Sequence, residues 1–146
     1  MSGFKVNRFV DAEVVSYGPK SDLRVLVGDD SQSTPIRAAL QTCQVGYDVP
    51  VHCHPYTEYL IVLEGSAEFR IEADGVQKVD LEKGDSVELQ AGVWHAFTTS
   101  KNEVTRLMGI HVSPERIVKY KPDVKTDSRG FRISEETVSP AKSADF

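Results

Sequence analysis

The chain has 146 residues, of which 40% are hydrophobic and 27% charged, and its formal net charge is −5. That is one domain's length, enough to bury roughly 70% of the surface of the unfolded chain without help from disulfides. Lys and Arg are scattered and never form a run, which excludes the clustered positive surface that nucleic-acid backbones require. No apolar stretch approaches a membrane span, and the N-terminus lacks the apolar core of a signal peptide. A cytoplasmic protein is expected, with Cys43 and Cys53 as reduced thiols rather than a disulfide.

Short strand patterns punctuated by turn residues recur along the chain, the cadence of a sandwich or barrel. Strands are expected near 4–10, 13–17, 23–27, 36–45, 50–54, 57–64, 67–72, 76–81, 86–90, 94–100 and 104–112. Tyr59-Leu-Ile-Val-Leu63 is apolar on both faces, as in a strand covered on both sides. Ala67, Phe69 and Ile71 alternate with Glu68, Arg70 and Glu72, and Asp74-Gly75 then favours a tight hairpin turn. In the last strand Val104, Arg106, Met108, Ile110 and Val112 share a face that is expected to be core. His111 then falls on the outer face and is not expected to be a ligand. Arg106 is either a strand-end surface group or a cavity group that pairs an anionic substrate. Ser113-Pro114-Glu115 ahead of Arg116–Tyr120 predicts one short C-terminal helical turn. Residues 1–122 are read as a single β domain. Residues 123–146 form a polar segment, either a mobile tail or an arm laid on a partner subunit.

The chemistry concentrates between Gly46 and Thr99. His52 and His54 lie two apart in an extended segment, so both imidazoles project from one face. Glu58 follows beyond the kink at Pro55, and its carboxylate can return to the same site. His95 lies in a separate strand after a turn at Gly92. Three imidazoles and a carboxylate suit one divalent transition metal, Fe, Mn, Ni, Co or Zn. Cys53 alternates away from the two histidines and reads as a packed thiol; Cys43 could line the cavity. Phe97 has the parity of His95 and is expected to wall the substrate pocket. Tyr56 lies in the turn between ligands and is placed at the pocket mouth, whereas Tyr59 and Trp94 are read as packing groups.

Two segments carry a family resemblance. Gly46-YDVPV-His52-Cys-His54-PYT-Glu58-YLIVLE-Gly65 matches the first cupin motif at every defined position and spacing. Gly84-DSVEL-Gln90-Ala-Gly92-VW-His95-AFT-Thr99 resembles the second, with Gln90 where the family usually has Pro and Thr99 where it usually has Asn. The resemblance to small single-domain cupins implies an all-β fold, the double-stranded β-helix or jelly-roll barrel. It also carries His52, His54, Glu58 and His95 over as metal ligands and implies a homodimer.

Four protein donors around a six-coordinate ion leave two positions for exchange, the mark of a site built for chemistry. The first reading is an Fe(II)-type dioxygenase acting on a small organic substrate. The second is a redox-neutral isomerase, cyclase, lyase or decarboxylase, in which the metal polarises a carbonyl or carboxylate and Glu58 or a cavity tyrosine moves the proton. The third is a non-catalytic small-molecule-binding module, and the fold alone does not decide between them.

Overall fold

The computed structural model describes residues 3–121 and 123–133. Eleven strands build two antiparallel sheets: β1 (Val14–Ser16), β2 (Ser21–Val27), β3 (Arg37–Cys43), β4 (Asp48–Cys53), β5 (Glu58–Glu64), β6 (Ser66–Glu72), β7 (Val76–Glu82), β8 (Ser86–Leu89), β9 (His95–Thr99), β10 (Thr105–His111) and β11 (Lys119–Tyr120). One sheet runs β1-β2-β3-β10-β5-β8 and the other β11-β4-β9-β6-β7. They face each other as the two halves of a jelly-roll barrel. The expected strand at 4–10 does not form; Phe9–Asp11 make a single 3₁₀ turn instead.

Turn chemistry sets the connections. Asp74 and Gly75 both take positive φ, 55° and 88°, in the three-residue loop that closes the hairpin with Glu72 opposite Val76. Gly65 joins the two sheets at φ 76°, and a Cβ there would lie 2.7 Å from the Val104 carbonyl and 2.8 Å from Thr105 Cα. Only glycine fits that crossing. Thr99 hydrogen-bonds the Tyr47 amide through its Oγ1 at 3.0 Å and donates to the Gln44 carbonyl, so it ties the 44–47 turn to β9.

Phe69, Val62, Leu107, Leu89, Phe97 and Cys43 pack one end of the interior. The other end is hollow. β10 explains the division and corrects its expected facing. Thr105 and Leu107 point into the core, and Gly109 and His111 continue on that same inward face. Arg106, Met108 and Ile110 lie on the outer surface, where Arg106 ion-pairs with Glu64. Both faces of β10 carry apolar residues, so parity alone does not fix its facing. Arg106, a charge on the expected core face, is the sign against that facing.

The helical turn expected at 113–120 is absent. Ser113 Oγ does accept the Glu115 amide, at 3.1 Å. However, Lys119 and Tyr120 pair with Cys53 and His52 as a short edge strand. Part of the segment expected as a tail or arm is folded onto the barrel. Asp127 and Phe131 close a small loop through Gly130. Arg129 bridges Glu13 and Asp30 at 2.8 and 2.7 Å. Phe131, 2% exposed, enters the core beside Tyr17. Residues 134–146 lie outside the described residues. Among the described residues no helix is long and apolar enough to cross a membrane.

Candidate metal centre

β4 supplies His52, and the residue just past its end is His54; the strand is irregular. The register shifts between Val49 and His52, and Pro50, which has no N–H to give a ladder, falls within that shift. His52 then pairs directly with His95 of β9. His54 follows on the same face, and Cys53 turns outward. Glu58 opens β5 opposite His111 of β10. One ligand atom from each of His52, His54, Glu58 and His95 can be chosen so that all four lie within 4.8 Å of one another, and all four residues are buried.

The imidazole Nδ1 atoms each face a carbonyl. His52 Nδ1 meets Pro50 O at 2.8 Å, His54 Nδ1 meets Ile117 O at 2.7 Å and His95 Nδ1 meets Val93 O at 2.9 Å. A carbonyl can only accept, so each Nδ1 carries the proton and each Nε2 turns a lone pair to the centre. Glu58 Oε1 then lies 3.1 Å from His95 Nε2 and 3.3 Å from His54 Nε2. These are lone pairs facing a carboxylate with no proton between them. His54 Nε2 is buried with no hydrogen-bond partner. Such an arrangement is repulsive unless a cation sits among the four atoms, so the donor set fits a divalent metal.

The charge states agree. Burial, with the neighbouring His95 and His54, holds His52 well below the usual imidazole range, so it stays a neutral ligand. Burial alone would raise the Glu58 carboxyl. The hydrogen bond from His111 leads the interactions that outweigh it and keep the group well below the carboxylate range.

His111, expected on the outer face, belongs to this centre. Its Nε2 donates to Glu58 Oε2 at 2.7 Å, and its Nδ1 accepts from the Tyr56 hydroxyl at 2.7 Å. Tyr56 in turn accepts the Ile117 amide at 3.1 Å and stacks on His54, with centroids 5.1 Å apart. Burial pushes His111 down, so its ring is neutral, and burial pushes Tyr56 up to about 12. A directed chain therefore runs from the Ile117 amide through Tyr56 and His111 to Glu58. Both carboxylate oxygens are engaged, Oε1 at the centre and Oε2 by His111, which leaves neither free to act as a base.

The other expected pocket residues divide. Tyr56 touches the site only through His54 and His111. Phe97 shares the inward face with His95 but packs on Phe69, centroids 4.8 Å apart, within the core. Arg106 is outside. Cys43 is fully buried beside Ser21, and burial pushes its thiol up to about 12. Tyr59 and Trp94 lie on outer faces, and Lys121 sits 4.0 Å above the Trp94 ring. The cavity beside the centre is bounded by His52, His54, Glu58 and His111 on one side. Tyr17, Gln41, Tyr47, Arg116, Tyr120 and Arg132 also line it. None of these last six was named as a site residue from the sequence. Arg116 and Arg132 follow the barrel motifs, in stretches with no sustained periodicity.

The family model described as a cupin domain matches residues 39–111. The chain is a cupin. Over 83 residues, 56% of its length, it is 31% identical to the acireductone dioxygenase of Phaeosphaeria nodorum, covering 47% of that protein. The chain spans about half the length of the curated relatives it matches. The hydroxypropylphosphonic acid epoxidase of S. wedmorenis superimposes with a TM-score of 0.62 at 17% identity, over 75% of this cupin and 59% of that chain. An E162A variant of Bacillus subtilis oxalate decarboxylase gives 0.68 at 18% identity, over 78% and 31%. At these identities the two structures attest the fold of this cupin and nothing further.

Proposed function

We propose that this cupin is a metal-dependent enzyme, a dioxygenase of the Fe(II) type acting on a small organic substrate. The observation that carries the reading is the orientation of the donor set. Three imidazoles are locked with Nε2 inward, one carboxylate is held by His111, and the donor set borders a cavity rather than a closed shell. A structural metal clip would close its coordination sphere. Relatives that are acireductone dioxygenases over the matching stretch favour oxygen chemistry.

The bound metal supplies Lewis acidity and access to redox chemistry. The chain's own residues do the rest. The Nδ1 hydrogen bonds keep the ligands in one tautomer, and the cavity walls hold the substrate. His111, neutral and in the cavity wall, holds Glu58 Oε2 in place and is itself fixed by Tyr56.

The test is oxygen consumption by the iron-loaded protein supplied anaerobically with an acireductone and then exposed to air. Uptake above the uncatalysed rate, lost in His54→Ala, is the expected result. Conversion of substrate without oxygen uptake would replace this reading with the redox-neutral one.

A further inference from the structure

Arg37, Arg106 and Arg129 each ion-pair with an acid. Arg116 and Arg132 do not: among the described residues, no carboxylate lies within ion-pair distance of either. Both line the cavity. Arg116 lies 3.9 Å over the Phe131 ring and donates to the Gly130 carbonyl at 3.3 Å. Arg132 donates to the Tyr47 hydroxyl and sits 5.7 and 5.4 Å from the Tyr17 and Tyr47 ring centroids. Burial lowers the Arg132 pKa, which marks a charge held away from water. Among the described residues that line the cavity, Glu58 is the only acid, and it is committed to the metal centre. A half-buried guanidinium without a counter-charge is costly, and its fork of donors matches a carboxylate.

We propose that Arg132 and Arg116, with the Tyr17 and Tyr47 hydroxyls, form a recognition wall for a carboxylate on the substrate, in the cavity that the metal centre borders. The substrate class is then a small carboxylate whose other end reaches the metal. The second half of that statement rests on the metal-enzyme reading; the anion wall does not. The anion replaces the missing counter-charge, and a neutral analogue of the same shape leaves both guanidiniums uncompensated. Selection between the two is thus built into the wall.

The test is calorimetric titration of the metal-free full chain with succinate and, in parallel, with its neutral isostere succinamide. Succinate is expected to bind at least tenfold tighter. Arg132→Gln and Arg116→Gln should each weaken succinate at least tenfold, whereas Arg132→Lys, which keeps the charge and loses the fork, should weaken it less than Arg132→Gln does. Melting temperatures and metal content, measured on each variant, separate a lost wall from a lost fold. Equal binding of succinate and succinamide by the native chain overturns the proposal whatever the variants do. So does native-like succinate affinity in both Gln variants. Succinate binding that obeys this pattern in a protein that never consumes oxygen leaves the wall standing and sinks the dioxygenase reading. Oxygen uptake with neutral substrates, unchanged in Arg132→Gln, does the reverse.

Discussion

Replacing His111 by Phe separates a residue that positions a ligand from one that is a ligand. The native ring donates to Glu58 Oε2 at 2.7 Å and takes the Tyr56 proton at 2.7 Å. Phe keeps the bulk and removes both bonds. A hydrogen bond to a charged group contributes about 1.5–3 kcal/mol. Outer partners of metal ligands typically change metal affinity by about 10–100-fold, or about 1.4–2.8 kcal/mol, so the two routes converge. Competition with a chromophoric chelator for Zn(II) at fixed pH measures the change directly. His111→Phe should weaken metal by one to two orders of magnitude and Tyr56→Phe by a few-fold, whereas His54→Ala should lose most bound metal. Native affinity in His111→Phe would refute the positioning role. A loss as deep as that of His54→Ala would make His111 a ligand and overturn the four-donor assignment.

Glycine substitutions test the sheet crossing. Gly65→Ala adds backbone overlaps at 2.7 and 2.8 Å to a positive φ, whereas Gly84→Ala meets only the strain of φ 91° with open space around it. Gly84→Ala should cost about 1–2 kcal/mol and Gly65→Ala at least about 2 kcal/mol more, read as urea midpoints at constant slope; equal costs would contradict the close approach. The metal-free protein should lose stability on acidification. His52 and His111 both have folded pKa values depressed below 6.5, so their contribution is full above pH 6.5 and is lost as pH falls further. Glu58, depressed below 4.5, adds a second loss below that value, because the unfolded chain binds more protons in each window. A urea midpoint that rises between pH 7 and 5 would reverse the assigned signs.

The metal donors were legible because their signal is local. Two-residue spacing puts His52 and His54 on one strand face, and Glu58 and His95 stand at fixed distances from turns that any reading of Pro55 and Gly92 locates. The facing of β10 was not legible, because alternation fails where both sheet faces are apolar. Met108 and Ile110 pair laterally with Ile61 and Tyr59 on the outer surface, while Leu107 fills the core. The helix start signals were physically present, since Ser113 does cap Glu115. Pairing with β4 then claimed Lys119 and Tyr120 for a strand, a tertiary choice that outweighs local preference. Phe131 and Arg132 were invisible for the same reason. Their burial depends on a seat made by Tyr17 and Tyr47, more than 80 residues earlier.

The segment matched by the family model, 39–111, contains all four metal donors and their His111 partner. It does not contain Tyr17, Arg116, Tyr120 or Arg132, which line the cavity from the flanks. The metal donors and both arginines of the proposed wall therefore lie in different stretches of one chain. A graft of 39–111 into another barrel would carry the four donors and Tyr47, but not the Ile117 carbonyl that orients His54 or the two arginines. If the proposed wall selects the substrate, single changes at Arg116 and Arg132, which leave Ile117 and the β4–β11 pairing in place, are where to begin altering what the protein accepts.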